Sequence, residues 1–367
     1  MADFRLHKLI CLLEENGIDA LAVNPGSTLT YLTGLNFHLM ERPTVVIIAK
    51  VGKPVIVLPE LELQKLAFSK IQLTPFSFGD DPSTWQNAFS NAFQFLNLQN
   101  ALIGVEGTRM RFLELNFIQK ASPSSKIIDA GQVISNLRIQ KDEEEILFMR
   151  KAVQIAQDAL KATLPSIKIG CTEKEIASEL VINMLRLGND PELPFAPIVS
   201  SGPNGANPHA TPSDRKMTEG DLLVIDWGAA FHGYFSDITR TFAIGKIDPE
   251  FEIIYKTVQA SNEAGRAVGK PGMRAGKVDD AARSVIESAG YGKYFTHRTG
   301  HGLGMEEHES PYMFAENQQI LQTGMVYTVE PGIYLPGRNG VRIEDDVVVT
   351  DDGSRSLTDF PRDLIHL

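Results

Sequence analysis

Over the first 130 residues, apolar positions at helical spacing alternate with short continuous apolar runs, which are typical of buried strands. Leu6, Leu9, Ile10 and Leu13 repeat at helical spacing until Asn16-Gly17 ends the run. Strands are predicted at 19–23, 45–49, 55–58, 71–76, 101–105 and 126–128, and further helices at 60–68, 82–95 and 111–120. This alternation predicts an α/β domain of its own.

The pattern breaks between about residues 130 and 140, where the charged block 141–145 opens a helix that is expected to reach about residue 163. Acidic residues in a first helical turn interact favourably with the helix dipole, so we interpret the block as a helix start and not as a binding site. We therefore predict a first domain at residues 1–132 and a second at residues 133–367.

The second domain contains an internal repeat. A glycine turn at 168–172 recurs 102 residues later, and a helix is predicted after each copy. A strand-like segment at 220–228 recurs 104 residues later, and each copy ends on a carboxylate before a turn. His209 and His308 each open a His-x-[Thr/Ser]-Pro motif upstream of these strands. The pattern predicts one αα–ββ unit that is duplicated within the second domain.

Each copy also carries a pair of acids. Asp226 and Asp237 flank a predicted turn at 231–234, so they can converge from neighbouring strands, although their separation of eleven residues leaves open which face each occupies. Glu330 and Glu344, fourteen residues apart, repeat the arrangement. Buried carboxylates that meet in this way repel one another unless protons or cations neutralise them.

A glycine-flanked histidine between the two copies completes a candidate ligand set. Gly300 and Gly302 allow the backbone around His301 to approach closely, and a neutral imidazole is a good metal ligand. One nitrogen with several carboxylate oxygens suits Mn²⁺ or a similar divalent ion. Four carboxylates are more than one ion needs, which favours a centre of two divalent ions.

Composition narrows the class of partner. The chain has 46 acidic against 35 basic residues, a net charge of −11 and no basic run, which argues against nucleic acid and anionic membranes. Cys11 and Cys171 form no CxxC pair, so neither a disulfide framework nor a thiolate zinc site is expected. The apolar run 9–13 is too short for a signal peptide, and no run has the roughly 18 to 20 apolar residues of a membrane span. We therefore expect a cytoplasmic enzyme.

Five short motifs follow one another in the second domain. They are Asp226-x10-Asp237, His297-x3-His301-Gly-Leu-Gly, His308-Glu-x-Pro, Val329-Glu330-Pro331-Gly332 and Gly340-Val-Arg-Ile-Glu344-Asp. Together they resemble the pita-bread metallopeptidases, in particular the aminopeptidase P and prolidase (Xaa-Pro dipeptidase) branch. The resemblance implies an α+β pita-bread catalytic domain with an internal pseudo-two-fold repeat, preceded by a smaller α/β creatinase-type N-terminal domain.

The resemblance also implies an activity and a ligand set. It implies a homodimeric hydrolase that cleaves Xaa-Pro bonds in dipeptides or in longer peptides and releases the residue before proline. Two metal ions, most simply Mn²⁺, although Co²⁺ and Zn²⁺ also accept such a set, are implied at Asp226, Asp237, His301, Glu330 and Glu344. Glu330 is expected to accept and shuttle the proton, and His209 and His308 to hydrogen-bond the substrate carbonyl or the tetrahedral intermediate.

Four further residues are implied at the substrate pocket. His297 is expected near the proline side, Phe195 in the apolar pocket for the residue before proline, and Arg342 behind Asp226, which it orients. In several prolidases an arginine after His-Glu-x-Pro binds the free carboxylate of the dipeptide. This chain has Tyr312 there, expected to contact substrate but unable to form the bidentate contact of arginine.

This departure leaves strict dipeptidase specificity open and makes longer Xaa-Pro peptides plausible substrates. Arg298 and Arg338 are candidates to replace the missing arginine. Methionine aminopeptidase-like processing is an alternative, although it does not explain the first domain. A creatinase-like hydrolase without metals is disfavoured because all five positions hold ligand-type residues. A non-catalytic binding module with the same fold would be expected to show degenerate ligand positions.

Overall fold

The chain, described from residue 2 to residue 367 by a computed structural model, folds into two units. The first unit ends at Arg138 and the second covers Ile139–Leu367. The predicted boundary at 132/133 falls within the helix Gly131–Arg138. That helix packs against the N-terminal helix Ala2–Glu15, which explains why it belongs to the first unit. Among residues 2–367, no helix is both long and apolar enough to cross a membrane.

The first unit is built on a six-stranded mixed sheet in the order β4-β3-β2-β1-β5-β6. Its strands are β1 (Ala20–Val23), β2 (Val45–Ala49), β3 (Val55–Pro59), β4 (Thr74–Phe78), β5 (Leu102–Val105) and β6 (Lys126–Asp129). Its helices are α1 (Ala2–Glu15), α2 (Ser27–Thr33), α3 (Trp85–Phe95), α4 (Phe112–Ala121) and α5 (Gly131–Arg138), with 3₁₀ helices at Glu60–Phe68 and Pro82–Thr84. The buried face of α3 packs on the sheet, and the predicted α/β class is confirmed.

Two predicted elements of the first unit differ from the structure. Residues 60–68 form a 3₁₀ helix that buries none of its side chains. Because most helical stability in proteins comes from packing an apolar face, this segment has little to hold it as an α-helix. The strand expected from residue 71 starts at Thr74, where pairing with Val55 of β3 begins.

The second unit contains two helix pairs, each followed by strands. The helices are α6 (Glu143–Thr163), α7 (Glu173–Arg186), α8 (Pro249–Val268) and α9 (Gly276–Ser288), with 3₁₀ helices at Leu164–Ser166, Gly202–Ala206 and Gly292–Tyr294. The strands of the first half are β7 (Ile198–Ser201), β8 (Leu222–Trp227), β9 (Ala230–Phe231), β10 (Tyr234–Phe235) and β11 (Ile238–Ala243). Those of the second half are β12 (Gly300–Gly302), β13 (Glu309–Met313), β14 (Val326–Val329), β15 (Gly332–Leu335), β16 (Asn339–Arg342), β17 (Asp345–Thr350), β18 (Gly353–Ser356) and β19 (Ile365–His366).

These strands form two larger sheets, in the orders β19-β11-β8-β7 and β13-β12-β14-β17-β18. Two short hairpins, β9 with β10 and β15 with β16, form separate two-stranded sheets. The charged block at 141–145 starts α6 as expected. Asp142 accepts from the Glu145 amide at 2.9 Å, while the Glu145 carboxylate accepts from the Asp142 amide at 2.8 Å. This capping box stabilises the first turn of the helix.

The duplication predicted from the sequence is visible in the backbone hydrogen bonds. Gly170 has a φ of 91° and donates to the carbonyl of Met217 at 2.9 Å. Its counterpart Gly272 has a φ of 82° and donates to the carbonyl of Leu321, also at 2.9 Å. A left-handed residue without a side chain is needed at this turn, which accounts for the repeated glycine. The predicted repeat is confirmed.

Candidate metal and substrate site

The register of the β8–β11 hairpin explains how Asp226 and Asp237 come together. Asp226 lies opposite Thr239, so Asp237, two residues before Thr239, points to the same face of the sheet. The odd separation of eleven residues is therefore compatible with one shared face. The predicted turn at 231–234 is confirmed: Phe231 pairs with Tyr234 across His232 and Gly233, whose φ angles are 52° and 75°.

Glu330 and Glu344, the second acidic pair, lie between the β14–β17 ladder and the β15–β16 ladder. Val329 pairs with Asp345, and Gly332 pairs with Arg342, so Glu330 and Glu344 sit in the gap between these two ladders. The Glu344 amide donates to the Thr239 carbonyl at 3.1 Å, and Thr239 Oγ1 donates to Glu344 Oε2 at 2.7 Å. This crossing brings the second pair beside the first.

His301 completes the cluster from β12. Its Nε2 lies 3.6 Å from Asp237 Oδ2 and 3.4 Å from Glu330 Oε1. Candidate ligand atoms of Asp237, His301 and Glu344 lie within 4.8 Å of one another. The flanking glycines are required here, because a Cβ at Gly300 would lie 1.9 Å from the Thr328 carbonyl oxygen and one at Gly302 would lie 2.2 Å from that of Ser310.

Burial and mutual repulsion oppose ionisation of these acids. Burial raises the pKa of Asp237 well above its usual value, and the charges of Glu344 and Asp226 raise it further. Burial, followed by the charges of Glu330 and Asp226, raises the pKa of Glu344 in the same direction. Burial raises the pKa of Glu330 to about 7, against the opposing charge of Arg342. The charge of Arg342 therefore only partly offsets the repulsion among the four acids.

The donor set fits divalent cations. Burial lowers the pKa of His301 well below its usual value, so the imidazole is neutral and its close contacts to carboxylates are not ion pairs. Its Nδ1 lies 3.1 Å from the Gly302 carbonyl, which assigns the proton to Nδ1 and leaves the Nε2 lone pair facing the acids. Asp226 Oδ1 is buried and has no hydrogen-bond partner among residues 2–367. Unshared lone pairs converging from four acids and one imidazole are what Mn²⁺-type ions require.

Arg342 holds the other oxygen of Asp226. Its guanidinium donates to Asp226 Oδ2 at 2.5 Å, to Thr239 Oγ1 at 3.0 Å and to the Tyr334 hydroxyl at 3.0 Å. The Tyr334 hydroxyl also lies 2.8 Å from His297 Nε2. Burial lowers the pKa of His297 to about 4. His297 is therefore neutral, with Nδ1 donating to the Arg298 carbonyl at 2.7 Å.

A cavity of about 570 Å³ opens beside the carboxylate cluster. Apart from Tyr312, it is lined by every site residue predicted from the sequence, namely Phe195, His209, Asp226, Asp237, His297, His301, His308, Glu330, Arg342 and Glu344. It is also lined by Arg298, and by Ile198, Pro208, Glu307 and Phe314, which the sequence patterns did not indicate. Of these four, Pro208 adjoins His209 and Glu307 adjoins His308 in sequence.

Different contacts position the two cavity-lining histidines His209 and His308. Glu173 accepts from the amides of Ser201 and Ser213 at 2.6 and 3.0 Å, which anchors the segment carrying His209. The ring of His308 lies 4.2 Å from that of His301, edge to face. Both His209 and His308 are exposed, so each is accessible to a bound molecule.

Tyr312 does not line the cavity. Its expected contact with substrate stays a prediction. The guanidinium of Arg298, which does line the cavity, lies 4.5 Å from the centre of the Tyr312 ring. Arg338 instead pairs with Glu250 at 2.7 Å on the exposed surface. Of the two candidate arginines, only Arg298 reaches the cavity.

Comparisons with known proteins agree with this geometry. Residues 148–351 match metallopeptidase family M24, and residues 5–140 match the creatinase/prolidase N-terminal domain. The Xaa-Pro dipeptidase of Pyrococcus furiosus is 36% identical over 98% of this chain and 99% of its own. The crystal structure of a dipeptidase from Pyrococcus horikoshii has a TM-score of 0.93 at 38% identity, covering 99% of this chain and 100% of that one. A prolidase structure from Thermococcus sibiricus has a TM-score of 0.93 at 36% identity, covering 100% of this chain and 99% of that one.

Proposed function

This chain belongs to metallopeptidase family M24 and carries a creatinase/prolidase N-terminal domain, and we propose that it hydrolyses the Xaa-Pro bond of dipeptides. The products would be the residue before proline and free proline. Longer Xaa-Pro peptides are the second candidate substrates. The observation that carries the proposal is the convergence of four carboxylates and a neutral histidine on one cavity of the pita-bread unit.

We propose that Asp226, Asp237, His301, Glu330 and Glu344 hold two divalent ions, with Mn²⁺ as the first choice. Bound there, such ions supply Lewis-acid activation of water and of the scissile carbonyl near neutral pH. The four carboxylate charges would balance two divalent ions, which relieves the repulsion that raises the pKa values of Asp237 and Glu344.

The chain's own side chains have separate roles in this proposal. Glu330, which faces the cavity beside His301, accepts the proton from the attacking water and delivers it to the leaving proline nitrogen. His209 and His308, exposed at the cavity mouth, donate hydrogen bonds to the carbonyl oxygen as it gains charge. Arg342 orients Asp226, and through Tyr334 it also fixes His297.

Arg298 supports a preference for dipeptides. Arg342, the other arginine at the cavity, forms an ion pair with Asp226, whereas Arg298 has no carboxylate partner among the described residues. Stacking on Tyr312 fixes the plane of the guanidinium and leaves its N–H edges available. A planar guanidinium can bind a carboxylate through two parallel hydrogen bonds. We therefore assign it to the free carboxylate of the proline residue.

The test compares Leu-Pro, Leu-Pro-Gly and Leu-Gly as substrates of the Mn²⁺-loaded protein, with released amino acids quantified by chromatography. We expect Leu-Pro to be hydrolysed fastest and Leu-Gly to be hydrolysed poorly. Faster cleavage of Leu-Pro-Gly would favour an aminopeptidase P activity and remove the proposed role of Arg298. Cleavage of methionine-initiated peptides without proline would favour methionine aminopeptidase-like processing, and no turnover with any divalent ion would favour a binding module.

A further inference from the structure

One cavity-lining acid has no place in the proposed metal set. Five carboxylates line the cavity, and four of them are proposed ligands. The fifth, Glu307, is half-buried and forms no hydrogen bond or ion pair with any other residue that the structure describes. Burial raises the pKa of Glu307, and the nearby charge of Asp226 raises it further. Within residues 2–367, this carboxylate thus faces the cavity without an ion-pair partner.

The loop that carries Glu307 is held firmly in place. Glu309 Oε1 accepts from the amides of Met305 and Glu306, each at 3.1 Å, and Glu309 Oε2 accepts from Lys141 Nζ at 3.1 Å. Gly304 allows this close packing, because a Cβ there would lie 2.9 Å from Glu309 Oε2. A group on such a pinned loop loses little conformational entropy when it binds a ligand.

The Glu307 carboxylate and the Arg298 guanidinium thus both line the cavity without an ion-pair partner among the described residues. An Xaa-Pro dipeptide carries an α-ammonium at one end and a carboxylate at the other. If Arg298 binds the carboxylate end, the cation that Glu307 needs must come from the residue before proline. That residue offers the α-ammonium in every substrate and a second cation when it is lysine or arginine.

We propose that Glu307 binds a cationic group of the residue before proline and thereby helps to select the substrate. This assignment rests on the proposed Xaa-Pro peptidase function. Glu307 lies outside the metal set, so its role is in substrate affinity and not in the chemical step. Its carboxylate would form a charge-assisted hydrogen bond with an ammonium or guanidinium.

The experiment measures kcat and KM of the Mn²⁺-loaded wild type and of Glu307→Gln with Leu-Pro, Lys-Pro and Asp-Pro. The amide keeps the shape of the side chain and removes its charge. We expect KM to rise about tenfold wherever the contact is made, with kcat little changed. A rise for all three dipeptides identifies the α-ammonium as the ligand. A rise for Lys-Pro alone, with Asp-Pro unchanged or improved, identifies the basic side chain.

Two further variants sharpen the result. Glu307→Lys is expected to reverse any side-chain preference by favouring Asp-Pro over Lys-Pro. Glu316→Gln, which neutralises an exposed acid outside the cavity, is the matched control and should leave all three KM values unchanged.

Three outcomes would overturn the role of Glu307. They are unchanged KM values in Glu307→Gln, a fall in kcat alone, and loss of bound Mn²⁺ measured by elemental analysis, which would make Glu307 a metal ligand. Turnover of Xaa-Pro dipeptides by the wild type distinguishes a failure of this inference from a failure of the proposed function. If the wild type cleaves no Xaa-Pro dipeptide, both fail, whereas normal wild-type turnover with an unaltered variant refutes Glu307 alone.

Discussion

Replacing Lys141 by Met is expected to destabilise the second unit by about 3 kcal/mol. Lys141 Nζ lies 3.1 Å from Glu309 Oε2, and the two side chains are 1% and 6% exposed. Without the ammonium, the buried Glu309 carboxylate loses the charge of Lys141, and breaking a buried ion pair in this way typically costs roughly 3–5 kcal/mol. The lower end applies because Glu309 still accepts hydrogen bonds from the amides of Met305 and Glu306.

A double variant separates the lost charge partner from lost packing. In Lys141→Met/Glu309→Gln the buried charge is gone, while the amide oxygen at 309 can still accept from both backbone amides. The double variant should therefore be more stable than Lys141→Met alone. Lys161→Met is the matched control, because its ammonium pairs with Asp158 on the surface, where the side chains are 55% and 39% exposed. It should cost less than about 0.5 kcal/mol.

The assay is urea unfolding followed by the fluorescence of Trp227. This residue is fully buried in the second unit, and its indole donates to the Ala156 carbonyl at 2.8 Å. The chain's other tryptophan, Trp85, lies in the first unit and is replaced by Phe in every variant. The single variant Glu309→Gln completes the set. A loss below about 1 kcal/mol in Lys141→Met, or a double variant whose loss equals the sum of the losses in Lys141→Met and Glu309→Gln, would refute the reasoning.

Four further predictions concern the site and the oligomeric state. Asp237→Asn should abolish turnover, yet raise the melting temperature of EDTA-treated protein, because it removes a carboxyl group whose ionisation is opposed by burial and by the charges of Glu344 and Asp226. Calorimetry of the apo protein checks this, and a lower melting temperature contradicts it. Because burial lowers the pKa of His297 to about 4, its folded form stays neutral while the unfolded form binds a proton below about pH 6.5. The stability of the wild type relative to His297→Gln should therefore be greatest above pH 6.5 and fall as the pH drops towards 4, as measured by urea unfolding at each pH. Arg298→Ala should raise KM for Leu-Pro at least tenfold and leave that for Leu-Pro-Gly within about threefold, whereas equal effects on both would remove the carboxylate contact. Light scattering should give twice the chain mass of 40.4 kDa if the predicted homodimer forms.

The duplicated pattern was sufficient to identify the cluster of acids, because each copy ends a buried strand on a carboxylate. The shared face of Asp226 and Asp237 was not decided by their spacing. It depends on which residues pair across the hairpin, and that register is fixed by the turn at His232-Gly233. The helix at Glu60–Phe68 was predicted with the observed bounds, but its 3₁₀ form was not, because the spacing of apolar residues does not show that none of its side chains is buried.

The substrate side was harder to predict, because its residues come from loops with no periodic pattern. Arg298, which lines the cavity, stacks on Tyr312 of β13, a residue fourteen positions later in the sequence. Glu307 belongs to none of the five motifs, and only the fold shows that it faces the cavity without a charged partner among the described residues. Ligand positions set by strand ends were therefore predictable, whereas positions set by side-chain packing were not.

The junction between the two copies explains why the duplication produces a catalytic site at all. Each copy alone contributes only two acids at its strand ends. Glu344 crosses to Thr239 of the other copy through both its backbone amide and its carboxylate, at 3.1 and 2.7 Å. Arg342 makes a second crossing, bonding Thr239 Oγ1 at 3.0 Å and Asp226 at 2.5 Å. The same contacts that join the sheets therefore place the four carboxylates together, so the geometry of the site and the association of the two copies depend on one set of hydrogen bonds.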